Sequence, residues 1–146
     1  METLKFGMRL SVILSILSIL AITGCATQPI SNSVAVNVPS ERVIDLKYLD
    51  PKSDTGKVTV KRDSGAGGSA CSSRIFVNAK PVADIRSSEK VVLYLTSGDY
   101  VLSAWPNGMC GGGMSEVRAS VKTGEELNFR VGYGSNGDFS INATAF

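Results

Sequence analysis

From about residue 42 onward, apolar residues recur at every second position, and that period of two restricts the chain to β-structure. Successive side chains of a strand point to opposite faces, so alternation marks a surface with one buried side and one wet side. Ile44, Leu46 and Tyr48 form the first such row, with Asp45 and Lys47 between them. Val58 and Val60 follow, then Ile75 and Val77, then Val91, Leu93 and Leu95, then Tyr100, Leu102 and Ala104. The later rows are Val117, Ala119 and Val121; Leu127, Phe129, Val131 and Tyr133; and Phe139, Ile141 and Ala143. Turn-forming residues separate them at 53–56, 78–81, 97–99, 123–125 and 135–137. Beyond residue 24 no stretch keeps apolar residues at helical spacing for three turns. The pattern predicts seven to nine short antiparallel strands packed as a two-sheet β-sandwich, an all-β fold, with a small closed β-barrel as the alternative.

The first 24 residues follow another rule. Lys5 and Arg9 precede a 13-residue apolar run, Leu10 to Ile22, which suits the core of an export signal and is too short for a membrane span. The run ends in Ile22-Thr23-Gly24-Cys25, a tetrad that resembles the lipobox of bacterial lipoproteins. The resemblance implies that Cys25 is acylated, becomes the first mature residue and attaches the protein to a lipid bilayer. It also implies an outer-membrane position facing the periplasm, because Ala26 stands where an aspartate would favour retention at the inner membrane. Residues 1–24 are therefore expected to be a signal peptide. Residues 25–40, small and polar with Pro29 and Pro39, are expected to be a lipidated flexible tether, with an edge strand through Val34, Val36 and Val38 as a weaker alternative. Residues 41–146 are expected to form the folded domain.

Composition excludes several activities. The chain carries 15 basic and 13 acidic residues, and without Glu2, Lys5 and Arg9 the balance is 13 against 12. A nearly neutral domain has no electrostatic basis for binding nucleic acid. Histidine is absent, which removes the commonest general base and metal ligand. No serine lies in a Gly-x-Ser-x-Gly elbow, the carboxylates fall mostly at turns or on wet faces, and no calcium-loop spacing occurs. No catalytic residue, metal site or cofactor is expected; a serine–lysine hydrolase is the least favoured alternative.

The remaining cysteines, Cys71 and Cys110, are expected to form a disulfide after export. Gly65-Ala66-Gly67-Gly68 leads into the first, and Gly111-Gly112-Gly113 follows the second, so the bridge would join two glycine-rich loops. Gly67, Gly68, Gly111, Gly112, Gly113 and Trp105, placed in the loop leading to Cys110, are the candidate binding residues. Trp105 has the alternative role of packing over the disulfide. Neither glycine run matches a phosphate loop, since no Gly-Lys-Ser/Thr follows.

Three segments carry a family likeness. Gly56 to Arg62, Arg74 to Asp84 with its Asn78-Ala79-Lys80 turn, and Leu93 to Leu102 with Ser97-Gly98-Asp99 resemble the strand, hairpin and strand pair of PEGA-type domains. Val121 to Glu125 resembles their closing turn, so the likeness spans roughly residues 56–132. Asn78-Ala79 stands where those domains have Asp-Gly, and the Pro-Glu-Gly-Ala tetrad itself is absent. The resemblance implies a non-catalytic sandwich, immunoglobulin-like or prealbumin-like, and transfers no functional residue. The expectation is a binding or scaffold module of the cell envelope, holding an envelope protein or a cell-wall glycan. The alternative is an inhibitor that inserts its loops into a cell-wall-degrading enzyme.

Overall fold

The computed structural model describes residues 26–145, so the Leu10–Ile22 run and Cys25 lie outside the described residues. Two sheets face each other. The first contains β1 (Val36–Asn37), β2 (Thr55–Arg62), β5 (Glu89–Thr96), β8 (Glu126–Tyr133) and β9 (Phe139–Ala143), in the order β1-β5-β2-β8-β9. The second contains β3 (Ser73–Val77), β4 (Lys80–Ile85), β6 (Gly98–Pro106) and β7 (Ser115–Val121), in the order β4-β3-β6-β7. The sheets stay open and do not close into a barrel. From residue 55 onward the alternation predicts every strand but β4, and the apolar rows form the core between the sheets. Val58, Val60, Leu93, Val131, Ile75 and Leu102 are fully enclosed there. Each such side chain contributes about 1.5–3 kcal/mol of burial.

Two pairings depart from the all-antiparallel expectation. β2 runs parallel to β8, with Val58 beside Leu127 and Val60 beside Phe129, and β1 runs parallel to β5. No short turn links either pair. β2 and β8 are connected through strands of the other sheet, so hairpin geometry does not dictate their relative direction.

The first row of alternation does not become a strand. Residues 40–42 and 46–48 are short 3₁₀ helices, and Ile44 and Leu46 remain exposed. The Asp45 carboxylate accepts the Lys47 N–H, so the local side chain supplies a partner that a neighbouring strand would otherwise provide.

Residues 26–40, expected as a flexible tether, instead lie along the first sheet. The Thr27 N–H donates to the Tyr133 carbonyl at 2.9 Å, and Gln28 and Ser64 exchange two backbone hydrogen bonds. Farther on, the Asn32 side chain donates to Asn128, and the Val36 and Val38 N–H groups donate to Ser88 and Lys90. Thr59 and Lys61, on the outward face of β2, and Asp63 just beyond its end are buried. Small polar residues and prolines signal the lack of a local fold, but the partners here are remote in sequence.

The hairpin between β3 and β4 shows what the Asn78-Ala79 turn requires. Both residues have left-handed backbones, at φ 47° and 64°. A two-residue hairpin of this hand needs positive φ at both positions. Asn78 tolerates it, and its Oδ1 accepts the Val101 N–H at 2.9 Å, tying the turn to β6. Ala79 has no such compensation and bears the steric cost of its Cβ. Ala79→Gly is expected to raise unfolding free energy by roughly 1 kcal/mol, measured by chemical denaturation; an unchanged or lower midpoint contradicts this account of the turn.

Candidate functional site

The site begins where β2 leaves the sandwich. Val58, Val60 and Arg62 share the inward phase of β2, so Arg62 enters the end of the core and is 1% exposed. Its two terminal nitrogens donate to main-chain carbonyls of the following loop: one to Cys71, the other to Gly68 at 2.5 Å. Nε finds no partner. Burial pulls the guanidinium below its ordinary pKa, while the nearby Tyr133 and Asp63 act in the opposite sense. An arginine remains charged in a protein, so this cation is held by carbonyl dipoles and folds the 63–72 loop around itself.

Cys71 closes that loop and is bonded to Cys110, 39 residues later, in the loop between β6 and β7. The expected disulfide is therefore present and joins the two glycine-rich segments. Gly67, Gly68, Cys110, Gly111, Gly112 and Tyr133 line a shallow cleft of about 320 Å³. Glycine is required at two of these positions. Gly68 has φ 63°, and a Cβ there would collide with the Tyr133 ring; Gly112 has φ 117°, and a Cβ would lie 2.9 Å from Phe139. Tyr133 is the aromatic side chain of the cleft, and Phe139 supports it, with ring centroids 5.1 Å apart.

The structure thus brings Gly67, Gly68, Gly111 and Gly112 together and leaves out two candidates. Gly113 is exposed and does not line the cleft. Trp105 is a residue of β6, not of the loop, and pairs with Arg74 of β3. It is half-exposed and does not line the cleft.

A second clamp holds the β6–β7 loop at its base. Asp84 accepts two hydrogen bonds from Arg74, at 2.9 and 2.8 Å, and one from the Asn107 side chain at 2.9 Å. The Asn107 N–H also donates to the Ser72 carbonyl. The Arg74 hydrogen bonds, assisted by Asn107, hold the Asp84 carboxyl below the usual carboxylate range despite its partial burial. Arg62, Tyr133 and Asp84 were not among the candidates. The inward phase of Arg62 was available in the alternation; the convergence of Tyr133 and Asp84 on the loops was not.

Chemically, the cleft offers main-chain groups, glycine surface and the Tyr133 ring. Among the described residues no cluster of three or more His, Cys, Asp or Glu side chains could hold a metal ion. A larger groove of about 520 Å³ lies elsewhere, between the N-terminal segment and the outer face of β5 and β2. Val38, Val43, Leu49, Val92 and Tyr94 supply its apolar walls. Searches of protein-family models and of curated proteins produced no match to the chain.

Two measurements probe the site. Removing the disulfide with Cys71→Ala and Cys110→Ala together is expected to lower unfolding free energy by roughly 4 kcal/mol, the chain-entropy value for a loop of this length. Equal denaturation midpoints with and without reductant would rule this out. Because the folded-state pKa of Asp84 is depressed, its contribution is complete above the unfolded-state value and disappears as pH falls through the folded one. Below about pH 4 the wild type should therefore lose stability more steeply than Asp84→Asn; parallel pH profiles of thermal unfolding would refute the clamp.

Proposed function

We propose that this protein is a lipid-anchored, non-enzymatic module of the bacterial envelope. In this reading Cys25 carries the acyl chains, the domain stands on the periplasmic side of the outer membrane, and its task is to bind an envelope partner there. The likeness of its turns to PEGA-type domains belongs to the same proposal. The anchor is supported by the order of charge, apolar run, small residues and cysteine in residues 5–25.

The observation that carries the binding role is the groove beside β5. Val38, Val43, Leu49, Val92 and Tyr94 give it apolar surface between Asn37, Ser40, Lys57 and Lys90, and Val36, Ile44 and Leu46 of the same N-terminal segment are 66%, 45% and 61% exposed. Large apolar side chains gathered on one surface mark a contact site for another molecule. A lining of apolar side chains interleaved with Asn37, Ser40, Lys57 and Lys90 suits a protein segment, which presents apolar side chains and polar groups together. The major charged pairs around the sandwich, Arg42–Glu89, Arg74–Asp84 and Arg130–Asp63, are engaged with each other. That arrangement favours binding over acid–base chemistry.

One feature favours the inhibitor reading: the disulfide-held β6–β7 loop projects, with Met109 fully exposed at its tip.

Cys25→Ala is expected to move the protein from the membrane fraction to the soluble periplasmic fraction, followed by immunoblotting of fractionated cells. Retention in membranes would refute the lipid anchor. A photo-reactive residue at Ser40, on the groove, should cross-link an envelope protein in intact cells, whereas one at Lys122 should not. Equal yields from both positions would discount the groove.

A further inference from the structure

We infer that the glycine-loop end of the sandwich is a membrane-contact surface and rests on the bilayer that holds Cys25. The inference depends on the proposed acylation of Cys25 and adds an orientation to it.

The first observation is where the chain leaves the fold. Ala26 lies against the 63–72 loop: a Cβ built on Gly65 would sit 3.7 Å from the Ala26 carbonyl. Thr27 is locked to the same end, its Oγ1 accepting the Tyr133 N–H at 2.9 Å and lying 3.2 Å from Asp63. Cys25 follows across one peptide bond, about 3.8 Å between Cα atoms. No leash separates the acylated residue from the domain. The headgroup layer of a bilayer is only about 5–8 Å deep on each side, so an anchor this close brings the neighbouring loops to the lipid surface.

The second observation is what those loops carry. Segments 64–72, 86–88, 107–114 and 134–138 all lie at this end, and their exposed charged residues are Arg86 and Asp138. The opposite end, at 49–54, 97–99 and 122–125, carries Asp50, Lys52, Asp54, Asp99, Lys122 and Glu125. Apolar groups are exposed at the sparsely charged end. Met109 is 102% exposed at the loop tip, Trp105 is 50% exposed and Met114 is 46% exposed. Met114 precedes Ser115, which pairs with Ala104, so it stands across from Trp105. An indole and flexible thioethers on a sparsely charged rim match the headgroup boundary, where amphipathic rings reside.

The third observation is rigidity. The Cys71–Cys110 bond, the Arg62 donors and the Asp84–Asn107 contact hold the two longest of these loops in one arrangement. The surface is thus preformed, and contact requires little ordering. The groove beside β5 lies on the flank and stays open to a partner.

Trp105 is the sole tryptophan, which makes it a natural reporter. The full lipidated protein, purified from membranes, would be reconstituted into phosphatidylethanolamine–phosphatidylglycerol vesicles containing dibrominated acyl chains. Three forms would be compared: the wild type, Met109→Trp with Trp105→Phe, and Lys122→Trp with Trp105→Phe. The expected result is a roughly twofold loss of emission for the tip tryptophan, a smaller loss for Trp105, and none for position 122. Circular dichroism would verify that each variant is folded. Absent quenching at positions 105 and 109, in protein that floats with the vesicles, overturns the orientation and leaves the anchor intact. Protein that fails to float overturns the anchor and the orientation together. Quenching that is equal at all three positions overturns the orientation. If a cell-wall-degrading enzyme, and not the vesicles, shields Met109 from oxidation, the loop serves inhibition and the membrane contact is overturned.

Discussion

Two adjacent residues at the end of β2 connect the parts of this molecule. Arg62 turns inward and draws the carbonyls of Gly68 and Cys71 around its guanidinium. Asp63 turns outward, is fully buried, and is paired with Arg130 of β8. It also lies beside Thr27, while its own carbonyl accepts the Ser87 hydroxyl. The glycine loop, the neighbouring strand, the N-terminal segment and the β4–β5 turn therefore all refer to one point. A buried charge that loses its partner is strongly destabilising, so these contacts support one another. Gly132 reflects the same crowding: a Cβ there would collide with both Asp63 and Thr27.

This arrangement changes the mechanical character of the chain. A lipidated cysteine followed by a flexible tether would let the domain explore many orientations. Docking of residues 27–38 onto the first sheet removes that freedom and places the outlet toward Cys25 beside the glycine loops. The same docking shelters Thr59 and Lys61 and forms one wall of the apolar groove. Groove and loops thereby acquire definite positions relative to one another and to Ala26. Short-range polar contacts achieve this, and the hydrophobic core between the sheets supplies the platform for them.

The core was largely legible because it is a local property repeated along the chain. Val58 and Val60, and Phe129 and Val131, alternate with polar neighbours, and all four point into the core with Leu93 and Leu95. The row Ile44, Leu46 and Tyr48 misled for an instructive reason. Three alternating residues satisfy the pattern, yet Asp45 offers a competing hydrogen bond and the segment turns into a 3₁₀ helix. The parallel pairing of β2 with β8 could not be read at all, since nothing in either strand encodes the direction of a distant partner.

Of the candidate site, the disulfide and the pairing of glycine loops followed from cysteine count and neighbouring composition. Trp105 was misplaced because it sits at the end of β6, where strand and loop differ by a residue or two. Alternation, punctuation and the cysteine arithmetic together specified an all-β sandwich with one bridged end, because these depend on residues near in sequence and on the need to bury apolar area. The three-dimensional arrangement settled the sheet order, the seating of residues 27–38 and the enclosure of Arg62 and Asp63. Those features arise from hydrogen bonds and charge pairing between residues tens of positions apart, and such partners exist only once the two sheets have come together.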